Sequence, residues 1–121
     1  MRLYRFDAAV SRPIDAFGSQ ALSQLWLARV DPGPAIRVSV MHLAAGGAVG
    51  YHPAGSPQLF AVVQGEGWAR GAGPEKTPLA AGRAAFWEAG EWHAAGTEAG
   101  LMAIVIESEA LDPARWLSPL D

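Results

Sequence analysis

Glycine and proline cut this chain into apolar runs that are short for helices and of the right length for strands. AIRVSVMHLAA lies between Pro34 and Gly46, QLFAVVQ between Pro57 and Gly65, RAAFWEA between Gly82 and Gly90, and LMAIVIESEALD between Gly100 and Pro113. Glycine admits positive φ and proline removes a backbone donor, so both punctuate regular structure. Inside the first run Ile36, Val38 and Val40 alternate with Arg37, Ser39 and Met41, the two-residue period of a half-buried strand. Half of the 121 residues are apolar, with 14 glycines and 9 prolines. The turn residues therefore separate packed elements rather than mark disorder. The expectation is an all-β chain, residues 1–121 forming one domain, with about six or more short strands closed into a sandwich or barrel.

A pass along the chain fills in that outline. LWLARV, the turn Asp31 to Pro34 and the strand from Ile36 read as a hairpin. Leu22, Leu25 and Trp26 also fit helical spacing, but a strand from about Ser23 suits the following turn better. Ala44 to Pro57 reads as a loop by composition, and LFAVVQGEGWAR as two strands joined around Gly65-Glu66-Gly67, where positive φ would form a tight hairpin. GAGPEKTP is a turn, followed by strands at Arg83 to Trp87 and Leu101 to Glu107, with a turn at Glu88-Ala89-Gly90 between them. Asp112 and Pro113 suit the N-cap and first position of a short C-terminal helical turn. Trp116 and Leu117 would then pack back on the barrel or on a second subunit.

Charge and composition narrow the partners. A net charge of −3 with scattered basic residues offers no footprint for nucleic acid. Without cysteine there is neither disulfide nor thiolate ligand, so a metal would rely on His, carboxylate or amide oxygen. No run approaches the ~20 apolar residues of a membrane span, and MRLYRFDAAVSRP lacks a signal-like apolar stretch. A cytoplasmic protein that binds no membrane is expected.

Two segments carry a resemblance. Gly46-(x5)-His52-x-Ala54-(x3)-Gln58-(x6)-Gly65 and Gly82-(x5)-Glu88-x-Gly90-(x2)-His93-(x3)-Thr97 have the glycine and histidine spacing of the two cupin motifs, in their usual order. The chain thus resembles a small single-domain cupin over roughly Ile36 to Ile106. The resemblance implies a jelly-roll barrel, the double-stranded β-helix, in which the two motifs face each other. In that family three histidines and one carboxylate commonly hold a divalent metal. Here Ala54 stands at the second histidine, Gln58 at the glutamate, Glu88 at the proline and Thr97 at the asparagine. His52, His93 and Gln58 are the donors left at motif positions, with His42 as a further imidazole on the preceding strand and Glu88 or Glu91 as stand-in carboxylates. Such neutral donors suit Zn, Ni, Mn or Fe less well than a set with a carboxylate, so a metal would be weakly held.

Two classes of function stay open. One is a small-molecule-binding protein whose cavity is lined by His52, Gln58, Trp92 and His93, Trp92 serving as an aromatic at the mouth beside His93. The other is a metal-dependent enzyme of dioxygenase, isomerase or lyase type with His52 and His93 as ligands, and metal-free acid–base catalysis by imidazole is a third course. A homodimer is expected, with LYRF (residues 3–6) or the Trp116 tail covering an exposed sheet edge.

Overall fold

Residues 101–107 show how the alternation becomes a wall: Leu101, Ala103 and Val105 are buried, whereas Met102, Ile104 and Ile106 on the opposite face are half-buried. The computed structural model describes residues 8–30, 33–115 and 117–120. Its strands are β1 (Arg12–Ile14), β2 (Gln20–Val30), β3 (Ile36–Pro53), β4 (Gln58–Arg70), β5 (Thr77–Ala80), β6 (Ala84–Trp87), β7 (Trp92–Gly96) and β8 (Leu101–Glu107). Short 3-10 turns occupy Ala8–Val10, Ala16–Gly18 and Pro113–Arg115.

All pairings are antiparallel, and two long strands close the barrel. The first half of β3 lies between β2 and β8, and its second half pairs with β7. Likewise β4 pairs with β8 and β6 over its first half, then with β7 and β5. Each long strand thus passes from one wall to the other, which is the double-stranded β-helix. The core fills the space between: Leu43, Phe60, Val62, Trp87, Ala95, Ala103 and Val105 belong to one buried cluster.

Three readings of the sequence are corrected. The stretch from Ala44 is not a loop, because β3 runs on to Pro53 and only residues 54–57 connect to β4. Gly46 at φ +77° and Gly47, where a Cβ would meet three carbonyl oxygens at 2.8–3.1 Å, make a bulge at which the register with β2 shifts. Nor do Gly65-Glu66-Gly67 turn a hairpin, since β4 is one strand. A Cβ at Gly65 would lie 2.2 Å from the Gly100 carbonyl oxygen, and one at Gly67 2.1 Å from that of Gly96. These glycines let β4 cross between walls where neighbouring backbones come close. Lastly, Trp92–Gly96 is a strand rather than part of a turn; its run of small residues shows no alternation to read.

The hairpin of β2 and β3 holds, in register from Leu22 opposite Leu43 to Val30 opposite Ile36, so the helical alternative for β2 falls away. The C-terminal turn also forms, with the amides of Arg115 and Leu117 donating to the carbonyls of Asp112 and Pro113. LYRF and Trp116 lie outside the described residues. Leu117 is half exposed and lines a shallow apolar depression with Leu59 and Phe86.

Candidate functional site

Strand pairing, not sequence proximity, brings the two motif histidines together. His52 on β3 and His93 on β7 are register partners, so their side chains share a face. Their ring centroids lie 4.5 Å apart. In each ring Nδ1 faces a backbone carbonyl, that of Gly50 at 2.6 Å for His52 and that of Glu91 at 3.2 Å for His93. A carbonyl only accepts, so in the neutral ring Nδ1 carries the proton and donates, leaving each Nε2 as a lone-pair acceptor. His93 is 1% exposed and lies between His52 and the Trp87 ring, the latter at 4.4 Å. Its Nε2 is buried without a hydrogen-bond partner among the described residues. Burial pulls the His93 pKa below the ordinary 6.5; the hydrogen bond to Glu91 opposes this, and nearby His52 adds to the lowering while the Glu91 charge opposes it.

The surrounding wall is laid down in rungs. Ser39, Val105, Phe60 and Ala85 are successive cross-strand partners on β3, β8, β4 and β6, and the first three are at most 1% exposed. Two residues further along each strand the rung becomes Arg37, Glu107, Gln58 and Trp87. A buried floor, apolar except for the Ser39 hydroxyl that accepts from the Gln24 amide, therefore gives way in one step to a cation, a carboxylate and an amide. With His52 these three line a depression of about 500 Å³ at this end of the barrel, within the usual size range of small-molecule sites. Phe17 forms another wall, its ring stacked on His52 at 4.1 Å and 2°. It holds a left-handed backbone, φ +60°, a conformation that costs a non-glycine residue roughly 1 kcal/mol or more.

Glu107 is pushed above the ordinary 4.5 by burial, with Arg37 and His52 each pulling it back. The folded chain thus holds this proton to higher pH than the unfolded chain does. Stability from this group is full below about 4.5 and is lost as pH rises through the folded value. Glu107→Gln is expected to gain stability at pH 8 but not at pH 4. Urea melts at the two values check this, the gain being less than about 1 kcal/mol for a partly solvated group.

Of the residues singled out from sequence, His52 and Gln58 line the depression and His93 lies directly behind His52. Trp92 does not join them: on a strand, neighbours point to opposite faces, and Trp92 packs against Tyr51 on the outside at 5.0 Å, 46% exposed. Trp87 is the indole that stacks on His93. His42 pairs with Met102 and lines a separate depression with Leu43 and Gln64, away from His52 and His93. Its parity with Ile36, Val38 and Val40 is not the barrel-facing one, since Met41 and Leu43 are the residues that pack into the core cluster. Glu88 and Glu91 are exposed, the Glu91 carboxylate accepting from the Glu88 amide at 2.6 Å. Thr97 bridges backbone, donating to the Glu66 carbonyl and accepting from the Gly100 amide, and Ala54 is core.

Sequence reading missed Arg37, Glu107 and Phe17. For the first two a signal existed: each is the charged residue at the end of an apolar strand, where a lumen opens to water. Phe17 left none, because nothing local places its turn over the mouth.

No protein-family model matches the sequence, and no curated protein matches it either. Solved structures do resemble it. A cupin superfamily protein from Desulfitobacterium hafniense superposes with a TM-score of 0.65 at 18% identity, covering 89% of this chain and 98% of that one. An uncharacterized conserved protein with a double-stranded β-helix domain from Klebsiella pneumoniae gives 0.68 at 19% identity, covering 90% of each. The DMSP lyase DddQ from Ruegeria pomeroyi gives 0.64 at 22% identity, covering 91% of this chain and 57% of that one. The chain therefore has the cupin fold, and a fold that serves such different proteins does not choose a function.

The fold raises the question of a metal. Two Nε2 lone pairs are available, but the described residues contain no group of three or more His, Asp or Glu side chains placed to hold an ion. With a buried Ala54 and a neutral Gln58 at the other motif positions, the donor set does not fit the family's usual centre.

Proposed function

We propose that this chain binds a small organic molecule at the mouth of its barrel. The observation that carries the reading is the abrupt change of rung, in which a buried floor of Ser39, Val105 and Phe60 is topped by Arg37, Glu107 and Gln58 and flanked by His52. Desolvated polar groups above such a floor fix a ligand's orientation, and the apolar walls supply contact area. Residues 1–121 act as one domain in this reading, the barrel of about 36–106 carrying the site.

A second reading, a metal-dependent enzyme holding a divalent ion weakly at His52, His93 and Gln58, is favoured by the two fixed tautomers, since imidazoles that donate Nδ1 to a backbone carbonyl are set up to ligate through Nε2. One experiment separates the two. Protein purified without a histidine tag is expected to carry no stoichiometric metal, and its melting temperature to be insensitive to chelator and to added Zn²⁺, Ni²⁺, Mn²⁺ or Fe²⁺. A screen of small organic fragments should shift the His52 ring signals in NMR spectra. Stoichiometric metal that disappears in His52→Ala and His93→Ala would overturn the binding-protein reading.

A further inference from the structure

We infer that the ligand of the barrel mouth is a small hydroxy acid, its carboxylate held by Arg37 and its hydroxyl by His52 or Glu107. This rests on the small-molecule reading of the site and names its ligand class. The depression presents one permanent cation, the Arg37 guanidinium, whose planar fork of donors matches a carboxylate. It also presents three groups that want a donor, His52, Glu107 and, exposed at the rim, Glu109. His52 has its Nδ1 committed to the Gly50 carbonyl, so in the neutral ring its Nε2 is an acceptor, and Glu107 offers carboxyl oxygens on the adjoining strand. The Gln58 amide can serve either way.

A purely apolar or purely anionic guest would leave His52 and Glu107 unmet on desolvation, and a purely cationic guest would meet Glu107 and Glu109 but leave the Arg37 fork without an acceptor. A molecule carrying an anion and a neighbouring hydroxyl satisfies both sides at once. The positions are built rather than incidental: Arg37, Glu107 and Gln58 form one rung across three strands, directly above Ser39, Val105 and Phe60. Phe17 and Pro53 bound the space beside His52 and leave room for a compact guest.

The test uses lactate with two controls, lactamide, which keeps the hydroxyl but loses the charge, and propionate, which keeps the charge but loses the hydroxyl. Binding to the whole chain is followed by NMR signals of the His52 ring and by indole fluorescence, since Trp87 adjoins the rung. Lactate is expected to bind about tenfold or more tightly than either control, the order of one lost charge-assisted or hydrogen-bonded contact. Arg37→Gln should remove the preference for lactate over lactamide while keeping that over propionate, and Arg37→Lys should retain part of both. Circular dichroism checks that each variant is folded.

Equal affinity for lactate and lactamide, or an Arg37→Gln variant that melts lower yet binds lactate unchanged, would overturn the assignment and leave Arg37 and Glu107 as a structural pair. No response to any of the three compounds would overturn it as well. In that case, neutral fragments that still shift the His52 signals would leave the small-molecule reading standing, and their failure would remove both.

Discussion

Gly67→Ala is expected to cost about 3 kcal/mol or more, enough to leave a domain of this size poorly folded. A Cβ there would lie 2.1 Å from the Gly96 carbonyl oxygen and 2.7 Å from a Leu101 methyl. The methyl can rotate away, but the carbonyl belongs to β7, whose backbone is fixed by its ladders to β3 and β4. Relief would require β4 and β7 to separate where the two walls join, and overpacking against backbone is not dissipated by rotamer changes. Gly73→Ala is the matched control, because nothing lies within 4 Å of a Cβ at that position. It should fall within about 0.5 kcal/mol of the parent. Urea melts of the two variants decide it, and equal midpoints would show that the crossing is not close-packed.

The second large effect concerns His93 and pH. Burial holds its folded pKa below the ordinary 6.5, so on acidification the unfolded chain takes up the proton first. Stability from this group is therefore full above about 6.5 and falls as pH drops toward the folded value. The slope is at most about 1.4 kcal/mol per pH unit for one proton. Melts between pH 8 and pH 5 should show the decline in the parent. His93→Leu should flatten it while filling most of the space beside Trp87. The variant also removes a buried acceptor without a partner among the described residues, so its stability at pH 8 should match or exceed that of the parent. An unchanged slope in His93→Leu would place the titrating group elsewhere.

These two residues also mark how far the sequence could be read. The spacing of His52 and His93 within two motifs brought both to one place, and the structure puts them opposite each other across β3 and β7. Gln58 was likewise legible from spacing alone. The glycines around β4 were visible as glycines, but not as crossing points, because a hairpin turn and a close backbone approach call for the same residue. Gly65 and Gly67 are needed for what β7 and the Gly100 turn do beside them, and neighbours distant in sequence are not written into the local pattern.

Alternation showed that β3 has two faces without telling which one meets the core. Both faces of β3 reach the interior, Val40 being as deeply buried as Ser39, so the apolar alternation of Ile36, Val38 and Val40 does not say on which side His42 lies. The same ambiguity hid Arg37, whose charge marks an outer position in an isolated hairpin and a lumen rung in a closed barrel. A turn at Trp92 would let it share the side of His93; because Trp92–Gly96 is a strand, the two point to opposite faces.

By itself the sequence determined an all-β chain, the cupin arrangement of its motifs, the absence of thiolate ligands, and a site reduced to neutral donors at the motif positions. These follow from residue type and spacing, which act locally or through short repeats. Only the tertiary structure decided which charges top the buried floor, which indole stacks on His93, and which nitrogen of each ring faces a backbone carbonyl. Those depend on register between strands up to tens of residues apart, and register is fixed by the closure of the whole barrel.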